Sequence, residues 1–192
     1  MSPLIISGPS VDLTKLRALT LCIAERAPDI GVTKLEKLLY FCDFEAIRTI
    51  GHSITADTYK NFQWGPVPKH FKVAFNELLE QKKITSTEKQ IGPGIKFNEI
   101  KPQETCPKDS FSAEEWQVID QVLKQYGHLP GKVLVKITHD QLPWKLTIRN
   151  EEIPDFLAHY VDHRKPTDEE VTRIVDSEGY LETLRGRLSV TA

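Results

Sequence analysis

The sequence lacks any hydrophobic run that approaches the ~18 apolar residues of a membrane-spanning helix. It also lacks an excess of charge, because the formal net charge is −2. Without a basic excess, a chain cannot bind nucleic acid generally through its phosphates. The apolar residues 3–6 are too few for a signal peptide and have no basic flank. We therefore expect a cytoplasmic protein that is not a membrane protein and does not bind nucleic acid.

Cysteine is scarce, with Cys22, Cys42 and Cys106 far apart in the chain. An odd number at this spacing matches neither a secreted disulfide scaffold nor a C-x-x-C metal site. The pattern predicts reduced thiols in a reducing compartment.

Signatures of catalysis are also missing. No G-x-S-x-G, H-E-x-x-H or P-loop motif is present, and residues 92–94 (GPG) are explained more simply as a hairpin turn. Cys42 and His52 are a conceivable nucleophile and base, but Cys42 falls within an apolar helix that favours an inert packing thiol. His159 and His163 have i, i+4 spacing without further ligands. The sequence therefore predicts no enzyme activity, no cofactor and no metal.

What is present is ordinary for one globular domain: 192 residues, of which 40% are hydrophobic and 27% charged. Pro28 ends a first amphipathic helix. The next helix, at 33–49, has apolar residues nearly all round, which indicates that it is buried at the centre. Thr33 and Glu36 predict a capping box at its start, and Gly51 predicts its end.

The other patterns predict an α+β fold that is mainly helical, with a small sheet built from residues 54–64 and 84–99. Residues 131–136 fit a short helix or a strand equally well. The remaining predicted elements are a proline-stiffened turn at 65–68, a helix at 69–81, a hairpin around 92–94, a helix capped by Ser112 and Glu115, and a C-terminal helix capped by Thr167 and Glu170.

Two aromatic stretches, 59–67 and 137–144, are not explained by patterning alone. In one interpretation Thr138 caps a helical turn, His139 bonds a backbone carbonyl and Trp144 closes the core. In the other, exposed aromatic residues beside a rigid turn anchor a protein interface. Both interpretations stay open at this point.

These stretches, in this order and spacing, resemble the Panacea domain of SocA-like antitoxins and related phage-associated proteins. The resemblance rests on four features: KLEKLLYFCDF at 34–44, Gly51 followed by Ile54 and the 59–64 segment, the turn at 65–67, and Thr138-His139 with Pro143-Trp144. It implies a domain at 12–150 with an N-terminal extension at 1–11 and a C-terminal helical extension at 151–192. The chain departs from the pattern at Glu36, where the family commonly has glutamine.

The resemblance implies the antitoxin of a type II toxin–antitoxin system, which neutralises its cognate protein toxin by direct binding. Two alternatives stay open: a winged-helix-like DNA-binding regulator that uses residues 69–99, and an adaptor that delivers the toxin to a protease. The candidate partner-binding residues are Tyr59, Phe62, Trp64, Pro66, Val67, His139 and Trp144.

Overall fold

Helix α2 (Val32–Ile50) lies at the centre of the fold. Every residue from 35 to 46 is buried except Glu36, which is half-buried. This confirms the prediction of a central buried helix. Gly51 ends α2 in the left-handed region, at φ 83°, and its N–H donates to the carbonyl oxygens of Ala46 and Ile47 at 3.2 Å.

The computed structural model describes residues 13–90, 96–162, 164 and 166–176. Within them the fold is α+β and mainly helical, as predicted. The predicted N-terminal extension lies outside the described residues. The other helices are α1 (Leu13–Arg26), α3 (Phe71–Glu80), α4 (Ala113–Tyr126), α5 (Gly131–Asp140), α6 (Leu142–Lys145) and α7 (Asp168–Asp176), with 3₁₀ helices at Lys108–Ser110 and Asp155–Tyr160.

Two separate antiparallel sheets replace the single predicted sheet. The first has the order β2 (Gly65–Pro68), β1 (Tyr59–Phe62), β5 (Glu152–Ile153). The second pairs β3 (Ile84–Gln90) with β4 (Lys96–Pro102), from Ile84 opposite Pro102 to Gln90 opposite Lys96. Residues 65–68, predicted as a turn, form an edge strand, where prolines are tolerated because one side of the strand needs no partner.

The predicted strand at 54–64 is shortened to β1 because carboxylates bond the backbone before it. Thr55 donates its N–H to Asp43 Oδ1 at 2.9 Å, and Thr58 donates its N–H to Asp57 Oδ1 at 2.8 Å. A backbone held by side chains in this way does not join a ladder of strands.

The capping box predicted at Thr33 is wrong, because α2 begins one residue earlier. Gly31 is the N-cap in extended conformation, and no side chain caps this end. The Glu36 carboxylate instead lies 3.5 Å from the ammonium of Lys37. The box at Ser112 and Glu115 is confirmed at the start of α4, and that at Thr167 and Glu170 at the start of α7.

The prediction of three reduced cysteines is wrong for two of them, because Cys22 and Cys106 form a disulfide. They are 84 positions apart, so the spacing of the cysteines in the sequence does not predict this contact between α1 and the segment after β4. Cys42 remains a free, buried thiol.

Residues 152–161 are part of the packed unit. Strand β5 pairs with β1, with Tyr59 opposite Ile153, and the following 3₁₀ helix buries Leu157 and Ala158 against the core. Helix α7 packs on α5. None of the described helices is long and apolar enough to cross a bilayer.

Candidate partner-binding surface

Exposed apolar side chains are concentrated on one part of the described structure. Trp64 is 61% exposed at the turn between β1 and β2, and Ile148 is 69% exposed in the segment after α6. Monomeric proteins rarely leave such residues together without a function. The exposed large apolar residues of the described structure are Phe62, Trp64, Val73, Leu142, Leu146, Ile148, Phe156 and Tyr160, of which Val73 lies on α3.

We call Phe62, Trp64, Trp144, Leu146 and Ile148 the aromatic surface. The two chain segments that carry it are held together by the buried side chain of Asn61. Its Nδ2 donates to the carbonyl oxygens of Trp144 at 2.9 Å and Thr147 at 2.8 Å. The backbone carbonyl oxygen of Asn61 accepts a hydrogen bond from the N–H of Asn150 at 2.7 Å. The surface is therefore preformed in the folded chain.

Trp144 connects the turn to helix α5. Its indole Nε1 donates to the carbonyl oxygen of Phe62 at 3.2 Å, and its ring stacks on that of His139 with centroids 4.0 Å apart. Burial, with the positive charges of Lys37 and Lys136, lowers the pKa of His139, so the imidazole is neutral near pH 7. His139 thus covers one face of the Trp144 ring, and the residue is half-buried.

Lys37 of α2 binds the β1–β2 hairpin. The side chain is fully buried, and its ammonium donates to the carbonyl oxygen of Pro66 at 2.7 Å. Burial lowers the pKa of Lys37 to about 8, against the opposing effect of Glu36. Burial raises the pKa of Glu36 in turn. A buried charge in the N-terminal half of α2 thereby fixes the position of the edge strand β2.

Gly65 lets the hairpin come this close to α2 and α5. Its φ is +93°, which side-chain-bearing residues rarely adopt. A Cβ there would meet Thr138 Oγ1 at 2.6 Å and Lys37 Cε at 3.0 Å. The turn segment 65–67 and Thr138, far apart in the sequence, therefore meet at one point.

Two of the candidate partner-binding residues lie in the interior. Tyr59 is 1% exposed, and its hydroxyl donates to Asp43 Oδ2 at 2.7 Å. Pro66 is buried, with its carbonyl facing Lys37. The inward half of strand β1 and the approach of β2 to α2 place both residues in the interior, so we do not retain them as anchors.

The other candidates have different positions. Phe62 and Trp64 are exposed at the turn, and Trp144 and His139 are half-buried behind it. Val67 is half-buried on the edge strand. The 59–67 stretch thus has both buried and exposed residues. The core interpretation and the interface interpretation each apply to part of it.

Sequence reasoning missed Asn61, Leu146 and Ile148. An asparagine inside a strand is unusual, and this was the one available signal for Asn61. The segment after α6 carries no periodic pattern, so nothing in the sequence showed that its apolar side chains remain exposed.

Cys42 and His52 do not form a reactive pair in this fold. Burial raises the pKa of the Cys42 thiol well above its usual value, which keeps it neutral. His52 is exposed at the end of α2, with Nδ1 3.2 Å from the carbonyl oxygen of Ile50. Across the described residues, no three His, Cys, Asp or Glu side chains converge as a metal site.

The β3–β4 hairpin follows α3, as a winged helix requires, but two of its lysines share a carboxylate. Lys89 and Lys101 lie 2.5 and 3.3 Å from carboxylate oxygens of Glu99. Lys83 lies 3.2 Å from Glu104. This pairing removes much of the positive potential that phosphate binding needs.

A family model described as "Antitoxin SocA-like, Panacea domain" matches residues 35–145, more than half of the chain. The matched range includes helix α2, the β1–β2 hairpin, and the segment from Thr138 to Trp144 that packs against it. A search of curated proteins finds no match.

Proposed function

Because the chain belongs to the Panacea-domain family of SocA-like antitoxins, we propose that it neutralises a protein toxin by binding it directly through the aromatic surface. In this proposal the chain is the antitoxin of a type II toxin–antitoxin system and acts in the cytoplasm. It works by occupying the toxin, without a catalytic step, a cofactor or a metal.

The observation that supports this proposal is the exposure of Trp64, Leu146 and Ile148 on a scaffold that is already held in place. Stable protein complexes bury ~1,600 Å² in total, with a few large apolar or arginine anchors near the centre. Preformed anchors avoid much of the entropy loss of ordering flexible loops on binding. The aromatic surface provides large apolar anchors that are already held in place.

The test is co-expression of the full chain with the protein encoded by the adjacent gene. We expect the pair to co-elute and the chain to restore growth that the neighbouring protein arrests. Trp64→Ala and Leu146→Ala should each weaken the complex by roughly 30-fold or more, since anchors of this kind contribute at least about 2 kcal/mol. Val73→Ala is the matched control, because Val73 is also exposed and apolar but lies on α3.

Growth rescue without any complex would contradict neutralisation by direct binding. Equal weakening by all three substitutions would contradict the location on the aromatic surface. Disappearance of the neighbouring protein over time in cells, dependent on a protease, would identify the chain as an adaptor that delivers its partner for degradation.

A further inference from the structure

A cleft lies at the edge of the aromatic surface, between the β1–β2 turn and the segment after α6. Its volume is about 360 Å³, and Phe62 and Trp144 form its apolar walls. Lys145 and Arg149 also line it, whereas no aspartate or glutamate of the described structure does. The cleft therefore combines aromatic walls with charge of one sign.

The two cations are available to a ligand. Both are exposed, and neither has an ion-pair partner among the residues that the structure describes. Arg149 donates one N–H to the side-chain oxygen of Gln63 at 3.2 Å, which leaves other guanidinium donors for a carboxylate. By contrast, neighbouring Lys69 is paired with Glu152 at 2.8 Å and Lys136 with Asp140 at 3.0 Å.

The cleft is also rigid. The Asn61 amide bonds the carbonyl oxygens of Trp144 and Thr147 on one wall, and Trp144 Nε1 bonds the carbonyl oxygen of Phe62 on the other. The two walls are therefore joined by hydrogen bonds across the floor. A rigid cleft loses little conformational freedom when a ligand enters it.

We propose that this cleft binds an acidic segment of the toxin, with carboxylates on Lys145 and Arg149 and a large apolar side chain against Trp144 and Phe62. The inference rests on the proposed function and names the chemistry of the partner. Charge complementarity supports it, because the described lining of the cleft carries two cationic side chains and no carboxylate. A polypeptide fits better than a nucleic acid, since two cations flanked by Leu146 and Ile148 are too few for a phosphate backbone.

The experiment measures the affinity of the full chain for the co-purified protein of the adjacent gene at low and high salt. Wild-type affinity should fall as salt rises, because exposed charges are screened. The double variant Lys145→Glu/Arg149→Glu should bind at least roughly tenfold more weakly at low salt, since like charges across an interface repel. Its affinity should rise with salt instead of falling, because salt screens this repulsion. Lys72→Glu/Lys124→Glu, exposed lysines on α3 and α4, changes the net charge equally and should behave as wild type.

Rescue gives the second readout. Reversing the acidic residues of the partner's bound segment to lysine should restore binding to the Glu variant and weaken binding to wild type. If the wild-type pair forms no complex at all, the proposed function fails. If the complex forms and the Glu variant binds as tightly as wild type at both salt concentrations, this inference alone is overturned, as it is if duplex DNA competes with the partner for the cleft.

Discussion

The ammonium nitrogen of Lys37 lies 2.7 Å from the carbonyl oxygen of Pro66, so the N-terminal half of helix α2 is bonded directly to the edge strand of the hairpin. The Lys37 side chain that makes this bond is fully buried. The carboxylate of Glu36, 3.5 Å from the ammonium, is its neighbouring negative charge. The effect of the bond is to fix the hairpin that carries Phe62 and Trp64.

Lys37 predicts an unusual dependence of stability on pH. Its pKa in the folded chain is about 8, below the ordinary 10.5, so the unfolded chain binds more protons between these values. The free energy of unfolding of wild type should therefore rise with pH across this window, relative to Lys37→Met, by at most about 3 kcal/mol. Urea denaturation of both proteins across this pH range measures it. A difference in stability between the two proteins that does not change with pH would contradict the lowered pKa of Lys37.

Asp43 predicts a second, separate dependence. Burial raises its pKa from 3.8 to about 6, although Thr55 and Tyr59 donate hydrogen bonds to it. The folded chain thus holds the proton longer than the unfolded chain, and this favourable contribution is complete below about pH 4 and lost as pH rises through 6. Relative to Asp43→Asn, wild-type stability should fall by up to about 3 kcal/mol over this window. Parallel pH profiles for the two proteins would show that the carboxyl does not titrate there.

Gly65 and Gly51 provide a matched pair for substitution by alanine. Both have positive φ, but a Cβ at Gly51 has no neighbour within 4 Å, whereas one at Gly65 collides with Thr138 and Lys37. Gly51→Ala should cost about 1–2 kcal/mol from the backbone alone. Gly65→Ala should cost a further 1–3 kcal/mol, approximately, from the forced displacement. Thermal and urea unfolding compare them, and equal losses would mean that the hairpin does not pack as described.

The Cys22–Cys106 disulfide predicts sensitivity to reductant. It closes a loop of 84 positions, and its reduction should lower the free energy of unfolding by up to about 4 kcal/mol. Cys22→Ser/Cys106→Ser should already be less stable and show no response to reductant. Thiol titration of the unfolded chain supplies the control, with one free thiol expected. Finding three free thiols, with no effect of reductant on wild type, would rule the bond out.

Local patterns predicted the helices well, because their signals lie within a few residues of each other. The apolar circumference of α2, the positive φ at Gly51 and the box at Ser112 and Glu115 are all features of this kind. Residues 131–136, which the sequence left between helix and strand, lie in α5. Local reasoning failed at Thr33, where a glycine in extended conformation starts the helix without a side-chain cap.

The contacts that build the site are long-range, and no local pattern encodes them. Lys37 looks like an exposed helix residue in the sequence, yet β2 and α5 cover it. Tyr59 looks like an interface aromatic, yet a carboxylate sixteen positions earlier takes its hydroxyl into the core. The family resemblance included residues 65–67 and 138–144 as separate features, and only the structure shows that Gly65 lies against Thr138.

Strand β5 and the 3₁₀ helix after it lie beyond the matched region at 35–145, yet they close the fold. A fragment that stops at residue 145 would leave the outer edge of β1 without its hydrogen-bonding neighbour. It would also uncover the α2 face that Leu157 and Ala158 shield. A fragment limited to the matched segment should therefore expose apolar surface and self-associate. Expression of a shorter chain therefore needs a C-terminal limit no earlier than Val161.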